Sequence, residues 1–119
     1  MEEEKGRIEW LPYEEGKTIG QAGSENGVIL RDEEYDGAAR ITLERNEQTP
    51  YAITCGIYDW MVHTTFGGDL QEMEQRYEEM KVELVRLWDL LPYRIDPEED
   101  KKLEVFHAEL SAFIHKYLL

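Results

Sequence analysis

The feature that most constrains this chain is a change of period at Gly68–Asp69. Before it, apolar residues recur at every second position; after it, they recur at steps of three and four. Period two sends alternate side chains to opposite faces of a strand, and a period near 3.6 lines one face of a helix. A chain that does first one and then the other reads as an α+β domain. We expect an antiparallel meander of three to five strands over residues 1–68, with a glycine-rich loop at 16–27. A C-terminal antiparallel α-helical hairpin over 69–119 then packs on one face of the sheet. The 119 residues make a single domain, large enough to bury a core without a disulfide or a metal.

In the first half, Asp36-Gly37 reads as a two-residue hairpin, because a type I′ turn needs positive φ at both central positions. Folding there sets Tyr35 opposite Ala38, Glu33 opposite Arg40, Asp32 opposite Ile41 and Leu30 opposite Leu43. Val28, Leu30, Ile41 and Leu43 then share a face, and Asp32 becomes an anomalous carboxylate among apolar neighbours. The loop Asn46–Pro50 returns the chain with Arg45 opposite Tyr51, Leu43 beside Ile53 and Ile41 beside Cys55. Tyr51, Ile53, Cys55 and Ile57 form the core face of that strand. Beyond Gly56 the apolar parity changes, and Tyr58, Trp60 and Val62 become the stripe. Either a bulge at Gly56 absorbs the change, or the strand runs on with both faces partly covered. In both cases Cys55, Asp59 and His63 lie along one strand, where four residues span ~13 Å. A catalytic triad confined to them is excluded, and Cys55 is expected to be buried and inert. The segment Ile8–Gly16 is an added strand or a latch over the sheet.

In the second half, Asp69 stands as N-cap with Glu72 three residues on. Leu70, Met73, Tyr77, Met80, Leu84, Leu87 and Leu91 make one stripe, widened by Trp88, and Pro92 ends the helix. Asp96 as N-cap with Pro97 and two glutamates starts a second helix. Its stripe is Leu103, Phe106, Leu110, Phe113 and Tyr117, with His107 at its edge. The apolar surface of the two helices, including Trp88, Phe106 and Phe113, exceeds what so small a sheet covers, and this predicts a homodimer.

Charge narrows the partners. The chain has 27 acidic and 13 basic residues, a formal net charge of −14. Phosphate affinity comes from Lys and Arg, so nucleic acid and anionic membranes are excluded as partners. Residues 1–36 hold 11 of the acids against 4 bases. One cysteine allows no intrachain disulfide. The acidic first residues lack the apolar run of a leader, and no stretch approaches the ~20 apolar residues of a membrane span. These points predict a soluble, cytoplasmic protein. Gly16-Lys17-Thr18 lacks the earlier glycine of a phosphate loop, follows two glutamates and opens no long helix. Neither HExxH nor paired cysteines occur, so no metal or cofactor is expected.

Two functional readings stand. One is a non-catalytic interaction protein, such as an inhibitor, an immunity-type neutraliser or an accessory subunit, that meets a basic partner. Its contact would use Trp10, Tyr13, Glu33, Glu34, Tyr35 and Asp36. The other is a small-molecule-binding domain or small enzyme with a pocket between sheet and helices. Its residues would be Asp32, Cys55, Asp59, Trp60, His63 and His107.

Overall fold

The structure is a computed structural model that describes residues 9–92 and 96–118. The expectations for the acidic run at 1–8 and for the link at 93–95 lie outside the described residues. Five antiparallel strands follow one another in sequence and in space. They are β1 (Trp10–Pro12), β2 (Val28–Tyr35), β3 (Ala39–Arg45), β4 (Tyr51–Ile57) and β5 (Met61–Gly67), followed by helices α1 (Leu70–Leu90) and α2 (Glu99–Lys116). The two helices pack on one face of the sheet, antiparallel to each other: Glu79 meets Tyr117, and Arg86 meets Glu109 further along.

The β3–β4 register is the one read from sequence, with Arg45 opposite Tyr51, Leu43 opposite Ile53 and Ile41 opposite Cys55. The β2–β3 register differs by one residue. Asp36 and Gly37 do take positive φ, 51° and 63°, and the Ala38 N–H donates to the Tyr35 carbonyl. The Ala38 carbonyl, however, accepts from Tyr58 N–H, so pairing resumes one residue later at Tyr35–Ala39. Glu34 thus faces Arg40, and Asp32 faces Thr42. A bulge between Ile29 and Arg31 leaves Leu30 without a partner on β3. Since one residue of slip exchanges the faces of a strand, Arg31, Glu33 and Tyr35 turn toward the helices, and Asp32 and Glu34 turn away.

The change of parity after Gly56 also has another cause. No bulge occurs there, and the strand does not run on. Tyr58, Asp59 and Trp60 form a tight turn closed by Trp60 N–H to the Ile57 carbonyl, with Asp59 at φ 73°. Aspartate is one of the few residues that enters the left-handed region readily. Past this turn β5 pairs back on β4, so Cys55 stands directly opposite His63.

The core lies between the inner sheet face and the helices. Ala39, Ile41, Leu43, Ile53, Cys55 and Ile57 meet Met73, Tyr77, Met80, Leu84 and Leu87 of α1 and Phe106, Leu110 and Phe113 of α2. Both helical stripes match the sequence pattern, except that Leu70 is exposed, Leu103 is half-buried, and Leu91 is half-buried just past the end of α1. Phe106 and Phe113 are buried and Trp88 is half-buried against the core, so they do not supply the surplus surface expected for a homodimer. The Asp69 carboxylate caps α1 through Gln71 N–H. The second cap lies two residues later than expected: Asp96 accepts from Glu98 N–H in a preceding turn, and α2 begins at Glu99.

Candidate functional site

Alternation along the strands directs Arg40, Thr42 and Glu44 of β3, Thr54 and Gly56 of β4, and Val62, Thr64 and Phe66 of β5 away from the helices. This outer face is half covered by the glycine-rich loop. The loop doubles back on itself through Gly23 N–H to the Gly27 carbonyl and Gly20 N–H to the Ile29 carbonyl.

Two buried carboxylates hold the loop down. Glu44 is fully buried and accepts from Gly27 N–H at 2.8 Å and Glu25 N–H at 3.2 Å. Its carboxylate occupies the space where side chains would otherwise be: a Cβ at Gly23 would lie 2.3 Å from Glu44 Oε1. At Gly27 a Cβ would lie 2.4 Å from the Arg45 carbonyl oxygen. Asp32 is bound twice by Arg40, Nε to Oδ1 at 2.9 Å and Nη2 to Oδ2 at 2.6 Å. The Thr18 hydroxyl donates to the same carboxylate at 2.8 Å. The Arg40 guanidinium also lies over the Tyr13 ring, 3.6 Å from its centre. Its bonds to Asp32 outweigh the desolvation it suffers and hold its pKa above the ordinary arginine value. Among the described residues no buried side-chain polar atom is left without a hydrogen-bond partner, as buried polar groups require.

Between the loop and the β4–β5 turn runs an open groove of about 520 Å³. Thr42, Thr54 and Gly56 floor it, Ala22–Ser24 form one wall, and Tyr58, Trp60, Met61 and Val62 form the other. Ser24 and Thr54 hydroxyls meet at 3.2 Å across one side. Its charged lining residues are Arg40 and Asp59. Arg40 is already neutralised by Asp32, whereas Asp59 is exposed at the tip of the turn. The Tyr58 hydroxyl donates to Glu34 at 2.7 Å. Burial and that carboxylate push the phenol above its ordinary pKa. Trp60 leaves 39% of its surface exposed and rests edge-on against Phe106, 5.1 Å between centres. The aromatic wall is therefore fixed from behind by the core.

The residues singled out from sequence fall in different places. Trp10 stacks on Tyr35 at 5.4 Å with the Lys81 ammonium over its ring. Glu33 is ion-paired to Lys81 at 3.0 Å. Tyr13 and Glu34 belong to the outer face, and Asp36 is exposed at the hairpin tip. Between sheet and helices, where the alternative pocket was expected, the described residues form the core given above. Of that pocket's six candidate residues, Asp59, Trp60 and Cys55 border the groove on the opposite side, and Asp32 lies buried under the loop. The His107 ring lies tilted against Trp60, 5.8 Å between centres. His63 faces the helices. Its Nε2 donates to the Tyr117 carbonyl at 2.6 Å, which a carbonyl partner dictates, since it can only accept. Cys55 and His63 are brought together as cross-strand neighbours, but burial alone pushes the Cys55 thiol up to about 12, and it stays protonated. Sequence reading missed Thr18, Glu44 and Tyr58. The available signal for Glu44 was a glutamate inside a strand, with glycines at 23 and 27 to make room for it. Among the described residues no group of His, Cys, Asp or Glu is set to hold a metal, and no helix is long and apolar enough to cross a membrane.

No protein family, curated protein or solved structure matches the chain.

Proposed function

We propose that the protein is a small, acidic, non-catalytic interaction protein that receives a basic segment of a protein partner in the outer-face groove. The observation that carries this reading is the groove's lining. It combines a fixed aromatic wall, an uncharged floor and an exposed carboxylate at Asp59 that has no ion-pair partner among the described residues, and the one cation among its described lining residues is already held by Asp32. An arginine or lysine of a partner would lay its methylene stem along the floor, present its charge to the Tyr58 and Trp60 rings, and meet Asp59. Glu14 and Glu15, exposed next to Tyr13, extend the acidic rim. Buried aromatic anchors carry most of the energy in such contacts, and the net charge of −14 chiefly speeds encounter. The non-catalytic reading rests on the one cysteine bordering the groove, whose thiol burial keeps neutral.

The test is titration of the protein with a hexa-arginine peptide and, separately, hexaglutamate, read by tryptophan fluorescence. Hexa-arginine should give a saturable change that Trp60→Ala abolishes, Asp59→Lys weakens, and rising salt weakens as the Debye length falls toward ~3 Å at 1 M. A response indifferent to both substitutions sinks the reading. A second reading, a neutral small-molecule site, is favoured by the volume alone, since 520 Å³ lies within the ~300–1,000 Å³ of ligand pockets. Binding of small aromatic fragments without salt dependence would support it instead.

A further inference from the structure

The two edges of the sheet are treated differently. β1 is three residues long and ends in Pro12, and both features discourage further pairing. β5 is seven residues long, Met-Val-His-Thr-Thr-Phe-Gly. It has a regular register on β4 and contains no Asp, Glu, Lys, Arg or Pro. Edges of that kind template the addition of another strand. The adjoining flank of α2 is uncharged from His107 onward, its acidic residues Asp100 and Glu104 preceding Trp60's contact. Glu109 and Lys116 reach toward α1 through Arg86 and Glu79, so the opposite flank, on the side of Trp60 and β5, carries His107, Ser111 and Ile114.

We propose that this side is an isologous interface with a second copy of the chain, the two β5 strands pairing antiparallel about Thr64. Three observations select a second copy over another partner. The strand is self-complementary about Thr64: Val62 would face Phe66 of the second copy, Phe66 would face Val62, and Thr64 would face Thr64. Both outer-face apolar residues are exposed, Val62 by 79% and Phe66 by 37%, and they form apolar cross-strand pairs. The hydrogen-bonding phase agrees. The turn bond from Trp60 N–H to Ile57 sets the pair Ile57–Met61 as bonded, and alternation then bonds Cys55–His63 and Ile53–Thr65 to β4. That leaves the N–H and carbonyl groups of Val62, Thr64 and Phe66 pointing outward. The Phe66 carbonyl indeed accepts from Arg76 around the edge. Finally, two chains of −14 repel, so contact is least costly where charge is missing, and a basic partner finds nothing to pair with here. A two-fold axis through Thr64, normal to the sheet, leaves both grooves open on the same side.

Sedimentation velocity tests this on the intact protein. The expected result is a species of twice 14.1 kDa whose share grows with concentration and with salt, because screening relieves like-charge repulsion. Thr64→Glu alone and Thr64→Lys alone should run as monomers, since residue 64 meets its own copy, and their equal mixture should recover the dimer. Amide exchange in the wild type gives an independent reading: Val62, Thr64 and Phe66 should gain protection as concentration rises. A wild type that remains monomeric at its highest soluble concentration overturns the proposal. So does a dimer that dissociates as salt rises, one that survives both single substitutions, or one that leaves those three amides unprotected.

Discussion

The pair Asp32–Arg40 makes a quantitative prediction, because its members differ in access to water. The Asp32 side chain is 0% exposed and that of Arg40 is 32% exposed. Replacing Arg40 with Met removes two charge-assisted bonds and the contact with Tyr13, and strands a carboxylate whose remaining partner is the Thr18 hydroxyl. Breaking a buried pair from one side costs ~3–5 kcal/mol. The lower end applies, since one partner was partly solvated, so about 3 kcal/mol is expected. The opposite change, Asp32→Asn, leaves a guanidinium that can turn to water and an amide that still bonds Thr18, for a cost of about 1 kcal/mol. The double variant Asp32→Asn/Arg40→Met leaves no charge stranded and should return to within ~1 kcal/mol of wild type. Urea unfolding followed by circular dichroism measures all three. With a slope of ~1.5–2 kcal/mol per molar, Arg40→Met should lower the midpoint by ~1.5–2 M. Equal losses for the two single variants, or a double variant no better than Arg40→Met, would show that the network is not a buried ion pair of this kind.

Other consequences are simpler to check. Gly27→Ala should cost ~1–3 kcal/mol, because its Cβ meets the Arg45 backbone at 2.4 Å, whereas Gly68→Ala, with nothing within 4 Å, should change the melting temperature little. The Cys55 thiol, raised by burial from 9.0 to about 12, contributes stability that is full below pH 9 and is lost as pH rises toward 12. Wild type should therefore lose more stability than Cys55→Ala across that window in paired melts, and a parallel decline would place the thiol in water. Thiol reagent should label native Cys55 far more slowly than the denatured chain. His63→Ala removes the bond to the Tyr117 carbonyl and the contact with Phe113, so amide exchange near the C-terminal end of α2 should accelerate before that of α1; uniform acceleration would contradict the assignment.

Much of the fold could be read locally. The β3–β4 register followed from parity, which puts Ile41, Leu43, Ile53 and Cys55 on one buried face, together with the short Asn46–Pro50 loop, which sets Arg45 opposite Tyr51. The α1 stripe and its Asp69 cap followed from spacing. The β2–β3 register was wrong by one residue although its turn type was right. The reason lies outside the hairpin: Ala38 gives its carbonyl to Tyr58, a residue twenty positions away. The turn at Tyr58–Trp60 was hidden because two aromatic residues in period two imitate a strand, and only Asp59 betrays it. Sequence therefore placed Cys55, Asp59 and His63 far apart along one strand, whereas the turn brings Cys55 and His63 face to face.

The candidate site was less legible than the fold. Asp32 was recognisable as a misfit, but its partners Arg40 and Thr18, and the Tyr13 ring that lies against Arg40, come from three separate segments, and no local pattern joins them. Glu44 makes the same point, because its acceptors are satisfied by backbone N–H groups of a loop seventeen to nineteen residues away. What the sequence by itself determined are the properties set by neighbours along the chain: strand and helix periods, turn residues, caps, and the net acidity. What the tertiary structure alone decided is which face of the sheet each loop covers, and hence where the groove lies and which charges in it are free. Periodicity specifies that a side chain is on one face or the other. Only long-range hydrogen bonds and packing specify what lies opposite.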